Sequence, residues 1–449
     1  MIASSHIAVA ARRTLSRPLA GTALYRWAVF GVLAAAQIIV IFHRSSIAIM
    51  APDLVETFGI SASALGLLGS MYFYPYALMQ LPAGILADVV GPRKLAASFF
   101  ALAGAGALLF SFAPGFPVLI LARLLTGLGL SCIYVPALKV ISTWFRKDEF
   151  GTLAGLLVSL GNIGGVIAAA PLAVLISQYG WRYTVRRIGL LTLLMAALIY
   201  LIVRNAPAQD SSATAITTEK NAPGVSRLSR NDIYSAIQGL ITITANRNFR
   251  LLALRAFVFY GSIMSFTGLW GGPYLIQAAG MIQLQAGNLL LLFAAGSIIA
   301  APIGGYLSDR ICKSRRGPTL AATVLCAACW IPLAYAPDRL NSAFLAFLLF
   351  TLGMASGLGA AGFAQVKELY PDNLAGTASG VYNFFVMAGG AVFQVVFGLI
   401  IKSSAPLPGG AYPPAAFGAG FRFLFISLVI GTLAVLLSRE ETEKQMERL

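Results

Sequence analysis

Residues 84–94 read GILADVVGPRK, and residues 305–316 read GYLSDRICKSRR. Each segment ends a long apolar stretch, places a glycine four residues before an aspartate, and continues into basic residues. A pattern that occurs twice, about half a chain apart, indicates an internal duplication. The chain is therefore expected to consist of two equivalent halves.

Five small residues repeat this duplication more closely. Gly151, Thr152, Gly155, Gly164 and Gly165 recur at one constant offset as Gly376, Thr377, Gly380, Gly389 and Gly390. Glycines in apolar helices allow neighbouring helices to approach closely. Duplicated helical units that enclose a site between the two halves are a common architecture of secondary transporters.

The composition indicates a membrane protein. Hydrophobic residues make up 58% of the 449 residues, charged residues make up 11%, and the mean hydropathy is +0.81. Soluble domains carry about 25% charged residues. The net charge of +16 comes from basic residues between the apolar runs. We interpret these residues as signals for membrane orientation and not as a nucleic-acid surface.

The apolar runs predict an all-α membrane protein, with twelve transmembrane helices in two pseudo-symmetric six-helix bundles. The predicted spans are 25–49, 64–87, 95–113, 117–145, 151–178, 184–204, 251–277, 283–308, 318–337, 341–365, 375–401 and 420–438. They divide the chain into an N-terminal tail (1–24), a first bundle (25–204), a linker (205–250), a second bundle (251–438) and a C-terminal tail (439–449).

Lysine and arginine lie mainly on one side of the predicted spans. Segments 88–94 and 309–317 are basic, whereas the loops of the other side carry Arg182, Arg339 and Lys402. Basic loops stay in the cytoplasm. We therefore expect a multi-pass protein of the plasma (bacterial inner) membrane, embedded in the lipid bilayer, with both termini cytoplasmic.

The two opening segments resemble the loop 2–3 motif of the major facilitator superfamily, G-x-x-x-D-[RK]-x-G-[RK]-[RK], and its second copy in loop 8–9. Arg123, Gly127 and Gly129 resemble the R-x-x-x-G-x-G motif of span 4 in that family. Val89 departs from the first motif, because a basic residue is usual at its position. The resemblance implies the twelve-helix fold and a gate that steadies one state of a transporter.

The gate implied by this resemblance consists of Gly84, Asp88, Arg93, Arg123, Gly305, Asp309 and Arg310. The two motif glycines would let neighbouring helices approach closely. The two aspartates would accept hydrogen bonds from helix ends and from Arg93 or Arg310. Ordinary charged helix ends are the alternative interpretation.

Arg44 lies well inside the first apolar run. An arginine at the centre of a span costs about 2.5–3.5 kcal/mol on insertion scales, so it is a functional candidate. The alternative is a side chain that snorkels to the outer surface. The surrounding sequence is similar to the organophosphate and anion-transporting branches of the superfamily, where an arginine here meets an anionic substrate. Met264 stands at the place of their second arginine, so a monoanion such as a carboxylate is favoured.

His43 is the histidine that lies in a predicted span. It could titrate near neutral pH and carry a coupled proton. It could equally be a core histidine bonded to a backbone carbonyl. Acidic residues are absent from the interiors of the predicted spans. Coupling would therefore use His43, Asp53, another ion or exchange.

Aromatic and amide residues complete the predicted site. Tyr72 and Tyr76 are spaced i, i+4 and share a helix face, as do Trp270 and Tyr274. Such pairs line pockets or pack inside bundles, and both interpretations stay open. The predicted substrate site contains Arg44, His43, Tyr72, Tyr76, Asn162, Trp270, Tyr274 and Asn383.

These features predict a secondary active transporter, a symporter or antiporter, that moves a small organic anion by alternating access. Efflux of drug-like or amphipathic compounds and ligand sensing without transport are the alternatives. Residues 161–165 lack the proline of the antiporter signature G-P-x-x-G-G, which counts against efflux. The sequence has no phosphate-loop motif and no catalytic-triad pattern, so we expect no enzyme, cofactor or metal. We expect a monomer with no nucleic-acid partner.

Overall fold

The computed structural model describes residues 20–80, 82–206, 230–308, 312, 314–407 and 411–438. In these segments eleven helices are long and apolar enough to cross a membrane. One further span, predicted at 64–87, is divided into three shorter helices. The protein thus has the predicted all-α membrane fold with twelve spans.

The first half contains spans 1 to 6. Span 1 is Ala20–Ser45, and the helix Ile47–Phe58 extends it. Span 2 consists of Ala62–Ser70, Phe73–Met79 and Pro82–Val89, and span 3 is Pro92–Ser111. Span 4 consists of Phe116–Ser131 and Tyr134–Trp144, span 5 of Lys147–Ile167 and Ala170–Tyr179, and span 6 is Trp181–Ile202.

The second half follows a helix in the predicted linker, Arg230–Ala245. Span 7 is Arg247–Ser265 and continues through Phe266–Trp270, Gly271–Pro273 and Tyr274–Ala278, of which the first and last have wider π-type turns. Span 8 is Gln283–Tyr306, span 9 is Arg316–Tyr335, and span 10 consists of Ser342–Leu358 and Ala361–Lys367. Span 11 is Asp372–Lys402, and span 12 is Pro414–Leu437.

The helix beyond span 1 continues past the predicted boundary at residue 49. Pro52 lies inside Ile47–Phe58, and it has no N–H to donate to Ala48 O four residues earlier. Gly272 of span 7 lies directly against this carbonyl, since an added Cβ at Gly272 would stand 1.8 Å from Ala48 O. Neighbouring helices commonly compensate for such breaks in membranes.

The repeated glycines occupy equivalent positions in the two halves. An added Cβ at Gly164 would stand 2.0 Å from Ile38 O on span 1, and one at Gly389 would stand 2.1 Å from Phe257 O on span 7. Each glycine therefore brings the fifth helix of its half against the backbone of the first. The Gly164 and Gly389 pair of the sequence repeat thus corresponds to a repeated helix contact.

Candidate functional site

A cavity of about 1770 Å³ lies between the two halves. Its walls come from spans 1, 2, 4 and 5 of the first half and spans 7, 8, 10 and 11 of the second. It reaches from Arg44 near the middle of the protein to Gly84, Val89, Phe150 and Lys367 at the end that carries the repeated basic segments. The cavity therefore gives access from that end.

Contacts between the halves close the opposite end. Added Cβ atoms at Gly66 and Gly398 would stand 2.6 Å from Gln394 O and 2.7 Å from Ala62 O. Gln283 of span 8 donates through Nε2 to Ile49 O (2.8 Å) and to Asp53 Oδ2 (3.2 Å). Close backbone packing and polar contacts thus join the halves where the cavity ends.

Arg44, predicted to bind an anion, lies on the cavity wall. Among the described residues that line the cavity, Arg44 and Lys367 are cationic and none carries a carboxylate. A guanidinium can form paired hydrogen bonds with a carboxylate or a phosphate. The wall is therefore electrostatically suited to an anion.

Arg123 supports the turn that carries Arg44. It is buried, and its Nη1 donates to His43 O at 2.8 Å while its Nη2 donates to Arg44 O at 3.5 Å. Its guanidinium also lies 4.8 Å from the centroid of the Tyr72 ring. The resemblance assigned Arg123 to the gate; the structure places its side chain inside the first bundle, against the last turn of helix Ala20–Ser45.

His43 and Arg44 point in different directions although they are neighbours. His43 is buried, and its Nε2 lies 3.0 Å from the Thr192 hydroxyl of span 6. That hydroxyl donates to Ile188 O, so its oxygen is free to accept from His43. The structure therefore places His43 among the helices of the first bundle and not on the wall of the large cavity.

The aromatic pairs divide between wall and interior. Tyr76 lines the cavity. Tyr72 is fully buried behind it, stacked on its ring at 5.7 Å, and donates to Val40 O. Trp270 and Tyr274 are also buried, and they donate to Gln394 O and Pro337 O inside the second half. For Tyr72, Trp270 and Tyr274, the packing alternative is therefore the one that the structure supports.

Amide side chains form the central polar part of the wall. Asn162 and Asn383 both line the cavity, as expected for site residues. Asn383 Nδ2 donates to Gln80 Oε1 at 2.7 Å, which links span 11 to span 2 across the two halves. Gln37 also lines the cavity. Amides offer donors and acceptors to the polar groups of a bound molecule.

Several wall residues were not predicted from the sequence. Gln37 and Gln80 are polar residues in apolar spans, and this signal could have identified them. Thr267, Ser297 and Tyr260 carried no comparable signal, because small hydroxyl and aromatic residues are common in membrane helices. Their positions on the wall depend on the rotation of each helix about its axis.

The residues that the resemblance assigns to a gate are described in part. Gly84 lines the cavity, and an added Cβ there would meet no atom within 4 Å. Gly305 lies in the last turn of span 8. Arg93 Nε donates to Tyr200 O of span 6 (2.6 Å), and the Arg93 backbone N–H donates to Asn205 Oδ1 just after that span (3.0 Å). Asp309, Arg310 and the side chain of Asp88 lie outside the described residues.

Two six-helix halves around a cavity that is reached from one end define a secondary membrane transporter. The profile of the Major Facilitator Superfamily matches residues 33–394, and the chain belongs to this family. The predicted family and fold are thereby confirmed. Membership also confirms the prediction of a transporter and not an enzyme.

Curated relatives of the chain have names that refer to anions. A probable sulfoacetate transporter of Cupriavidus necator is 27% identical over 387 residues, which cover 84% of this chain and 87% of the relative. A probable galactarate/D-glucarate transporter of Bacillus subtilis is 24% identical over 441 residues, which cover 93% and 95%. The expected likeness to anion-transporting branches is confirmed.

A solved structure with the same fold is a bacterial homologue of the human lysosomal transporter Spinster, in an inward-facing and unoccupied conformation. It matches with a TM-score of 0.70 at 18% identity, over 94% of this chain and 96% of its own. At this level of identity the likeness concerns the fold alone.

Proposed function

We propose that the chain is a secondary active transporter that moves a small organic anion, a carboxylate, across the membrane by alternating access. The observation that carries this proposal is Arg44 on the wall of a central cavity whose described lining has no carboxylate. A substrate anion would supply the charge that the wall lacks. Relatives are named for sulfoacetate, galactarate/D-glucarate and hexose phosphate, and these names support a small organic anion as the substrate.

The one cationic anchor near the centre would bind one anionic group of the substrate. Met264 lines the cavity at the place where the resemblance expects the second arginine of organophosphate exchangers. A thioether offers no donor to a phosphate. Asn162, Asn383 and Gln80 would bind the remaining polar groups of the substrate.

The distribution of glycine contacts supports alternating access. At the closed end Gly66, Gly272 and Gly398 lie against backbone of the opposite half. At the open end added Cβ atoms at Gly84 and Gly376 would meet no atom within 4 Å. Gly84 and Gly376 would contact the opposite half only in a second state, in which the two halves rotate and close this end of the cavity. The structure then represents the state that opens toward the basic segments.

The test is a ligand screen followed by counterflow. Purified protein is warmed with carboxylates, sugar acids, phosphates and amino acids, and a true ligand raises the melting temperature in proportion to occupancy. Ligands that pass are tested for exchange in proteoliposomes. Carboxylate binding with counterflow supports the proposal. Carboxylate binding without counterflow indicates a sensor, and stabilisation by uncharged amphipathic compounds alone indicates efflux.

A further inference from the structure

Three arginines lie on the first two turns of span 6, at the closed end of the protein. They are Arg182, Arg186 and Arg187. The loops on this side carry few other basic residues, so the cluster is not explained by the orientation signals of the chain. Transport through the central cavity does not use it, because none of the three lines that cavity.

Arg182 has a structural role. Its Nη1 donates to Ser111 O (3.1 Å) and Ala113 O (2.9 Å) at the end of span 3, and its guanidinium lies 4.5 Å from the Trp181 ring centroid. These contacts join spans 3 and 6. Arg182 is therefore committed to the protein itself.

Arg186 and Arg187 have hydrogen-bonding capacity that the protein does not use. The guanidinium of Arg186 lies 4.3 Å from the Phe112 ring centroid, and its Nε is buried without a hydrogen-bond partner. The guanidinium of Arg187 lies 4.8 Å from the Tyr183 ring centroid and donates to the Tyr183 hydroxyl. Within the described residues, no ion pair joins either arginine to a carboxylate. Each of these two neighbouring cations thus stacks on an aromatic ring and has no carboxylate partner among the described residues.

The surroundings of this pair are those of a lipid-facing surface. Arg187 is exposed on the same side of span 6 as Leu190, Leu191 and Leu194, which are 49%, 51% and 55% exposed. Tyr179 and Tyr183 are exposed near the helix start, where aromatic residues commonly mark the membrane interface. The cations therefore stand directly above an apolar stripe that faces acyl chains.

The backbone of the two arginines lies slightly more than about 20 Å along span 6, so their side chains have to span the remaining distance to the lipid headgroups. From Ile202 at the other end of span 6, Arg187 is fifteen residues away, which is about 22 Å of helix. The hydrocarbon core is about 30 Å thick. Both guanidinium groups are directed toward the start of span 6, since they lie over Tyr183, one turn earlier, and over Phe112, just past the end of span 3. Long arginine side chains commonly reach the headgroup level in this way.

We propose that Arg186 and Arg187 form a binding site for the phosphodiester of an anionic phospholipid. The guanidinium groups bind the phosphate oxygens through charge-assisted hydrogen bonds. The acyl chains lie along Leu190, Leu191 and Leu194. A free phosphate lacks these chains and would gain nothing from the stripe, so the site selects a lipid.

The test compares the full-length protein with two double variants in nanodiscs. R186Q/R187Q removes the site, whereas R339Q/K402Q removes the same charge from loops of the same side. The readout is the rise in melting temperature when phosphatidylglycerol replaces phosphatidylcholine. We expect the rise for the wild type and for R339Q/K402Q, and at least a halving of it for R186Q/R187Q. Equal rises in all three proteins would overturn the proposal.

Two further arms complete the test. Inorganic phosphate and glycerol phosphate are added to wild type in phosphatidylcholine. We expect no stabilisation, and stabilisation equal to that by phosphatidylglycerol would show a free-phosphate site instead. Photoreactive phosphatidylglycerol is also cross-linked to the wild type, and this experiment does not depend on the folding of any variant. We expect adducts at 179–194 that unlabelled phosphatidylglycerol suppresses, and adducts elsewhere alone would contradict the site.

Discussion

His43 and Arg44 are adjacent in the chain but have different surroundings. Successive residues of a helix point about 100° apart, so Arg44 reaches the cavity while His43 meets Thr192 of span 6. The backbone carbonyls of both residues accept hydrogen bonds from Arg123. Arg123 thus fixes the turn from which Arg44 projects, and His43 anchors the same turn on its other side.

This geometry makes His43 a positioning residue. The H43Q variant keeps a group that can donate to Thr192, so we expect a modest loss of uptake rate and an unchanged pH profile. The measurement is the initial uptake rate in proteoliposomes across the pH range in which histidine titrates. Loss of the pH dependence in H43Q would instead identify His43 as the carrier of a coupled proton.

Single residues also show what could be predicted from the sequence. Arg44 was identifiable because a charge inside an apolar run is rare. The i, i+4 spacing of Trp270 and Tyr274 predicted a shared helix face, and both side chains are buried in the second half, where their rings contact Phe397 and Phe421 respectively. Spacing alone could not tell that face from the cavity face, because the rotation of span 7 depends on its packing against other spans.

At the scale of elements, the end of the cavity that is closed depends on helix contacts made through glycine. Gly272 allows span 7 to lie against the carbonyl of Ala48 that Pro52 leaves without a helical donor. Gln283 then bridges span 8 to Ile49 and Asp53. The pairing of a proline with a glycine of the other half could not be predicted from sequence, because the two lie in helices far apart in the chain.

G272A is therefore expected to prevent this closure. Its Cβ would stand 1.8 Å from Ala48 O, whereas the Cβ of the control G31A would meet no atom within 4 Å. Distances between spin labels at the ends of spans 1 and 7 report on closure. We expect a shift to longer distances in G272A and no shift in G31A. Identical distributions in both variants would contradict this role for Gly272.

The contact between Asp53 and Gln283 predicts a pH effect on the same closure. Burial raises the pKa of the Asp53 carboxyl in the closed state, although the hydrogen bond from Gln283 opposes part of this rise. A group whose pKa is higher in one state stabilises that state when it is protonated. Acidification should therefore increase the closed population, and rising pH should decrease it.

The D53N variant tests this pH effect, since its amide stays neutral at every pH. Accessibility of a cysteine introduced near the closed end measures the open population as pH changes. We expect a pH-dependent population in the parent and a flat response in D53N. An equally steep response in D53N would exclude Asp53 as the titrating group.

At the scale of the whole molecule, the duplication was the strongest sequence signal. Gly164 and Gly389 recur in sequence and make equivalent contacts with spans 1 and 7. The lining of the cavity could be predicted less well than the fold, because residues such as Arg44 and Met264 differ between the two halves and do not follow the repeat. The common framework determines the fold, and these differences determine which substrate the site can bind.

The distribution of basic residues predicts the orientation of this framework. Segment 88–94 and both termini should lie in the cytoplasm, together with the open end of the cavity. Phosphatase fused at the C-terminus should be inactive in intact cells, whereas phosphatase inserted after Lys402 should be active. The reverse pattern of phosphatase activity would show the opposite orientation, in which the described state is outward-facing.

The central claim is that Arg44 binds the anionic group of the substrate. Hydrogen bonds to charged groups contribute about 1.5–3 kcal/mol, so R44A should raise the substrate Kd by about tenfold or more. The decisive measurement is carboxylate binding and uptake by R44A in proteoliposomes, with K402Q as the control for loss of an exposed charge. We expect R44A to fold but to lose binding and uptake, while K402Q keeps both. Wild-type uptake by R44A would contradict an anion-binding role for Arg44.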